Sequence, residues 1–376
     1  MAPSSRVAVC DAPWDTVLEF ALNGRPVSIA KPSPRMKLIE YLRDVAELPG
    51  TKLSCGEGGC GSCTVVLCHR PLDRILSREA HGDGSVVFRA VNACLFPVCA
   101  LDGIEVFTIE RVGSTITGLH ALQQRLVDAN GTQCGYCTPG WIMNMYELLR
   151  EKEPRSKAQI ESHFDGNLCR CTGYRPILAA FHSFANDPNE ATREANTLAP
   201  ISIAYDTPEM VSSDYCGREP MQEDEDWLVV PSTYLVPAQD LATTAPYDGK
   251  HEIPPSDFVL KFKPRPLRFV NDSGTLKWYR PLTWDQLKFV FEENCLSEIM
   301  FVGGRTSYGV SKYYNGTAPY NRPTERAVQV ELNYIPELKE ITVNPNQAQA
   351  VVGASVTITT LLQFLQTYES DHNVGI

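Results

Sequence analysis

Eight of the thirteen cysteines fall into two tight groups, and thiolates at short spacing hold soft metals or act in redox chemistry. Cys55, Cys60, Cys63 and Cys94 have the spacing C-x4-C-x2-C…C. That is the plant-type pattern for a [2Fe–2S] cluster. Gly56, Gly58, Gly59 and Gly61 lie between these cysteines. Glycine lets backbone wrap closely at φ > 0, so its N–H groups can point at sulfur and favour a negative centre. The competing assignment is a four-cysteine zinc site, but zinc knuckles pair short spacings, and a glycine-dense C-x4-C-x2-C loop fits that pattern poorly.

The second group joins Cys134 and Cys137, a C-x2-C, to Cys169 and Cys171, a C-x-C. Each pair precedes a predicted helix start, at Pro139 and near Pro176, and helix N-termini favour negative charge. By themselves these pairs suit iron–sulfur, zinc or redox thiols alike. The remaining cysteines, Cys10, Cys68, Cys99, Cys216 and Cys295, read as small hydrophobes.

The elements that must hold these groups follow from pattern. Residues 15–112 are strand-rich. Val17, Leu18, Phe20 and Leu22 precede Asn23-Gly24, with Val27 and Ile29 beyond, which predicts a hairpin. Leu38, Leu42 and Val45 share one helical face, and CTVVLC and SVVFRAV read as strands. Together they predict a small α+β domain. Residues 113–186 are helical. Leu119, Leu122 and Leu126 form one stripe, Thr138-Pro139 opens a helix carrying Ile142, Met145 and Leu149, Ser156 caps a third, and Ile177, Phe181 and Phe184 mark a fourth. Four short helices predict a bundle. Residues 187–270 lose apolar periodicity, gain prolines and an acidic run at 223–226, and read as a linker. Residues 271–376 return to α/β patterning, with IMFVGG as a strand entering a glycine loop, and the chain is expected to stop inside that domain.

Composition excludes some classes. Lys plus Arg number 34 against 45 Asp plus Glu, a net charge of −11, which argues against nucleic acid or an anionic membrane as the main partner. No apolar run approaches the roughly 20 residues needed to cross a bilayer. MAPSSRVAVCDAPWD has no apolar signal region, so cytoplasm is the expected compartment, with the peroxisome as the alternative.

CGEGGCGSCTVVL (55–67), NACLFPVC (92–99), GTQCGYCTPGWIMNMYELL (131–149) and GNLCRCTGYRPIL (166–178) closely resemble the N-terminal region of xanthine dehydrogenases and aldehyde oxidases, molybdenum hydroxylases. The resemblance implies a β-grasp [2Fe–2S] ferredoxin domain at 15–112 and a four-helix-bundle [2Fe–2S] domain at 113–186. It also implies that Cys134, Cys137, Cys169 and Cys171 hold the second cluster. In the family that cluster lies next to molybdopterin, and the ferredoxin-type cluster lies between it and FAD. By position, Gln133 would hydrogen-bond the pterin and Cys171 would touch it.

FVGGRTSYG (301–309), NYIPELKEI and VVGASVTI are similar to the family's α/β FAD-binding (PCMH-type) domain. The resemblance places FAD pyrophosphate on Gly304, Arg305, Thr306, Ser307, Tyr308 and Gly309, with Arg305 standing where the family often has Asn. The rest of that domain and the molybdenum domains would lie beyond residue 376, on a missing region or a partner polypeptide. The implied function is electron transfer from molybdopterin through two clusters to FAD, then to NAD or oxygen. The rivals are a cluster-only carrier without stable FAD and a zinc-stabilised interaction module.

Overall fold

The computed structural model describes residues 13–71, 86–150, 155–186, 247, 252–306, 309, 327–344 and 349–372. The predicted hairpin is present as β1 (Leu18–Leu22) and β2 (Arg25–Ile29). Asn23 and Gly24 both sit at positive φ, 52° and 83°, as a two-residue turn that follows strand twist demands. β3 (Thr64–His69), β4 (Val87–Asn92) and β5 (Glu105–Phe107) complete a sheet ordered β2-β1-β5-β3-β4. β5 runs parallel to β1 and antiparallel to β3, the strand order expected of a β-grasp.

α1 (Leu38–Glu40) continues into a widened helical turn, Tyr41–Val45, closed by the Ala46 N–H on the Tyr41 carbonyl. Leu38 and Leu42 are fully buried on the sheet, but Val45 is 57% exposed. Widening the turn rotates Val45 off the face that a regular 3.6-residue period would give it.

The four predicted helices are α2 (Ala121–Asp128), α3 (Thr138–Leu149), α4 (Lys157–His163) and α5 (Arg175–His182). Ser156 caps α4, accepting from the Gln159 N–H, and Gln159 reaches back to the Ser156 N–H. Leu119 lies outside α2, whose cap is His120, so the buried stripe is Leu122 and Leu126. Cys137 takes the cap of α3, one residue before the expected Thr138. The bundle core stacks Phe164 on Phe181 at 5.1 Å and sets Trp141 against Phe164 at 4.7 Å.

The first sheet is covered on both faces. Val66, Cys68, Phe88 and Phe107 join the bundle core, while Leu18, Phe20, Val65 and Leu67 face the other core. That explains the unbroken apolar run VVLC, since a strand buried twice cannot alternate with polar residues.

The C-terminal sheet, ordered β6-β7-β9-β8, is built from β6 (Leu267–Val270), β7 (Lys277–Arg280), β8 (Ile299–Val302) and β9 (Val328–Glu331). β6 falls in what the sequence suggests is linker, as does the short helix α6 (Asp257–Lys261). Leu267 and Phe269 are buried because they share a core with Leu18, Leu38 and Val106 of the first domain. α7 (Trp284–Glu293) packs within this sheet's own cluster. β10 (Ile341–Asn344) and β11 (Gln349–Val352) form a hairpin, followed by α8 (Ile358–His372). The strand pattern of QAVVGASVTI is thus realised only over Gln349–Val352, and Ile358 already opens the helix. The acidic run at 223–226 lies outside the described residues.

Candidate iron–sulfur centres

The first four thiols come together at one end of β3. Cys55, Cys60 and Cys63 lie on the loop that enters β3, and Cys94 follows β4, whose pairing with β3 sets Thr64 opposite Asn92. Register between two strands thus delivers a ligand 31 positions away in sequence. Gly56, Gly58 and Gly61 adopt φ of 66°, 84° and 67°, so the loop needs their freedom. Asn92 locks it by donating from Nδ2 to the Gly58 carbonyl at 3.0 Å and accepting from the Cys63 thiol at 3.7 Å. The Glu57 N–H donates to Cys55 Sγ at 3.3 Å. Cys60, Cys63 and Cys94 are buried and Cys55 is half-buried.

The thiols meet in pairs, Cys55 with Cys60 and Cys63 with Cys94. Sharing a proton with Cys63 lowers Cys94 to about 7, helped by the Gly58 backbone, and raises Cys63, which burial raises further. Burial pushes Cys60 up, but backbone hydrogen bonds at Cys55 and Ser62 outweigh it and the net shift is down.

The second four thiols sit at the starts of two bundle helices. Cys134 and Cys137 lead into α3, and Cys169 and Cys171 come just before α5. Gly135 and Gly173 turn these loops at φ of 75° and 65°. Pairing recurs: Cys137 meets Cys169, and Cys134 meets Cys171. Burial, with Cys169 nearby, raises Cys137 to about 12. Burial also works against Cys169, yet the Thr172 hydroxyl, 3.1 Å from its Sγ, and local backbone lower it overall. One pair is screened, with Cys169 buried and Cys137 half-buried, while Cys134 and Cys171 are exposed. Gln133 is exposed beside them.

The two centres are neighbours. The Leu168 N–H donates to the Cys60 carbonyl at 3.0 Å, and Tyr136 donates its hydroxyl to the Leu53 carbonyl at 2.5 Å. Among the described residues no group of three or more His, Cys, Asp or Glu side chains is placed to hold a single metal ion. The donors, glycine cradles and sulfur-directed N–H groups suit a centre wider than one ion, with four thiolates of low charge density.

The glycine loop after β8 reaches the first centre: a Cβ on Gly309 would lie 2.4 Å from the Glu57 carbonyl oxygen. Gly303, Gly304 and Thr306 are exposed, while Ser307 and Tyr308 lie outside the described residues. Arg305, at φ 56°, is only 8% exposed and turns inward, close enough to Cys99 to act on its thiol. Asn92, Tyr136, Asn167 and Thr172 were not singled out by spacing. They support the loops through contacts across the fold, and only the hydroxyl three residues after Cys169 carries a local signal.

Two such sites make this a two-centre iron–sulfur protein. Residues 20–99 match the family described as 2Fe-2S iron-sulfur cluster binding domain, and residues 108–182 match [2Fe-2S] binding domain. The chain is 37% identical to the xanthine dehydrogenase of Dictyostelium discoideum over 78% of its own length and 20% of the relative's. It is 35% identical to that of Emericella nidulans over 93% of its length and 23% of the relative's. Among solved structures, quinoline 2-oxidoreductase from Pseudomonas putida 86 is 31% identical, over 47% of this chain and 96% of that one, with a TM-score of 0.36. The chain carries two 2Fe-2S family domains and is homologous to the N-terminal region of xanthine dehydrogenases. It spans about a fifth of the length of the curated relatives it matches. No described helix is long and apolar enough to cross a membrane.

Proposed function

We propose that the chain is the electron-transfer portion of a molybdenum hydroxylase, carrying electrons singly from molybdopterin through two [2Fe–2S] clusters to FAD. The observation that carries this reading is the pairing of thiols at both sites, because a two-iron centre takes two thiolates on each iron. Cys55 with Cys60 and Cys63 with Cys94 would hold the irons of one cluster. Cys134 with Cys171 and Cys137 with Cys169 would hold those of the other. When bound, the clusters supply one-electron carriers and FAD exchanges single electrons for a pair.

The chain's own residues set the order. Cys134, Cys171 and Gln133 lie on the open side of the bundle, where a molybdopterin of a further domain or partner polypeptide would approach. The screened Cys137–Cys169 pair adjoins Leu168, whose N–H bonds the Cys60 carbonyl. Glu57, beside Cys55, touches the glycine loop, whose exposed backbone at Gly303, Gly304 and Thr306 leaves room for a pyrophosphate. Backbone N–H groups around Cys55 and Cys94 stabilise added negative charge and so tune the first centre. The parent reaction would be hydroxylation of a purine, an aldehyde or an N-heterocycle, with NAD or oxygen as final acceptor.

Expression in a host able to assemble such centres is expected to yield about four irons and four acid-labile sulfides per chain. Cys55→Ser and Cys134→Ser should each remove a different paramagnetic signal. Zinc without iron, or loss of both signals from either change in a folded chain, would refute the assignment. Cluster absorbance without flavin absorbance would favour the cluster-only carrier over the flavin-loaded form.

A further inference from the structure

We propose that Asn167 is the positioning residue that holds the two cluster loops in register, keeping Cys169 joined to Cys60 by a single hydrogen bond. The proposal rests on both thiol sets holding clusters. Asn167 is not in either ligand set, and it is 4% exposed.

Its side chain is aimed from both sides. Oδ1 accepts from Asn144 Nδ2 at 2.6 Å, and Asn144, in α3, also donates to the His163 carbonyl at 3.0 Å. Nδ2 then points at the Gly61 carbonyl, 3.5 Å away, between Cys60 and Cys63. The fit leaves no slack. A Cβ on Gly61 would lie 2.5 Å from Asn167 Nδ2 and 2.6 Å from the Gly166 carbonyl oxygen. A Cβ on Gly140, in the first turn of α3, would lie 2.1 Å from the Gly61 carbonyl oxygen. Three segments (60–62, 140 and 166–168) therefore interlock closely, with the Asn167 amide between the first and the last.

The result is a short bonded route. From the Cys169 sulfur it runs back through the Leu168 backbone, crosses the 3.0 Å bond from the Leu168 N–H to the Cys60 carbonyl, and ends at the Cys60 sulfur. Thr172 and Tyr174 fix the Cys169 end, with the Tyr174 hydroxyl accepting from the Cys169 N–H at 3.2 Å. Among the described residues the Cys60 side chain bonds only within its own loop, to Ser62 and Cys55. Asn167 holds that loop against the bundle through Gly61, and an amide is required because one end must accept while the other donates. An aspartate in its place would keep the Asn144 bond but set an oxygen against the Gly61 carbonyl.

The test uses the full chain with its clusters, fully reduced and examined by low-temperature electron paramagnetic resonance. Two reduced clusters locked at close range should split each other's signals in the unaltered protein. Asn167→Ala and Asn167→Asp should both diminish that splitting while leaving the integrated intensity of each cluster unchanged. Deuterium exchange read by mass spectrometry on a peptide spanning Leu168 should accelerate about tenfold or more. Should the Asn167 variants fail to fold, Asn144→Ala frees the Asn167 amide while leaving it in place, and it should likewise diminish the splitting and speed exchange at Leu168; a folded Asn144→Ala matching the unaltered protein in both would overturn the proposal. Splitting and exchange that match the unaltered protein in the folded variants would overturn the proposal. Absence of one cluster signal from the unaltered protein would instead overturn the two-cluster reading and the proposal with it.

Discussion

Replacing Arg280 by methionine should loosen the C-terminal sheet from the first domain. Arg280 is fully buried and bonds Glu331 through Nε at 2.7 Å and Asp102 at 3.3 Å. It also reaches the Ala100 carbonyl at 3.1 Å and lies 4.2 Å from the Tyr334 ring. Asp102 would survive the change, because Arg265 still binds it at 2.7 Å. Glu331, 3% exposed, would lose its cation and keep only weaker polar support. Stranding one partner of a buried ion pair costs about 3–5 kcal/mol. With a urea dependence of about 3 kcal/mol per molar, the midpoint should fall by roughly 1–1.7 M. The loss should depend on pH in a defined direction. Burial already raises Glu331, with Arg280 opposing, so removing Arg280 raises it further. The folded state then holds a proton that the unfolded chain releases at about pH 4.3. Stability is retained below that value and is lost as pH rises through the folded-state value, so the variant should suffer more at pH 8 than at pH 5. Adding Glu331→Gln should recover much of the loss and remove the pH dependence. Urea titrations followed by tryptophan fluorescence at both pH values measure this, with Trp278 in the shared core as reporter. A midpoint shift below about 0.3 M at both pH values would refute the claim that this network ties the sheet to the first domain.

Alkylation at neutral pH should label Cys295 before Cys68, as read by peptide mass spectrometry. Cys295 is exposed and lowered by its Ser297 contact, while burial raises Cys68 to about 12. Phe181→Ala opens a hole between Phe164 and Trp141 and should cost about 3–5 kcal/mol of bundle stability by denaturant titration. Ser156→Ala removes the cap and one arm of the capping box of α4 and should cost about 1 kcal/mol in the same assay.

Much of the local structure was legible because it is encoded within a few residues. Asn23-Gly24 can hardly be other than a tight turn, and Ser156 with Gln159 marks a helix start. Both cysteine groups were visible as spacings, and the four glycine-loop cysteines needed no partner to be recognised. Val45 went the other way. It depends on a backbone irregularity, a widened turn, that side-chain pattern does not announce. β6 was invisible because only four residues long, and its apolar pair becomes meaningful only against Leu18 and Leu38.

The linear chain by itself determined which thiols are grouped, where the glycines free the loops, and which helices carry an apolar stripe. These are short-range properties, set by covalent spacing, φ preference and periodicity. Only the tertiary structure decided how the thiols pair, which pair is screened from solvent, and that Leu168 meets Cys60. Those outcomes rest on contacts between residues from about thirty positions apart, as in Cys63 with Cys94, to about a hundred, as in Asn167 with Gly61. Sheet register and close helix packing choose such contacts, and no local pattern can specify them.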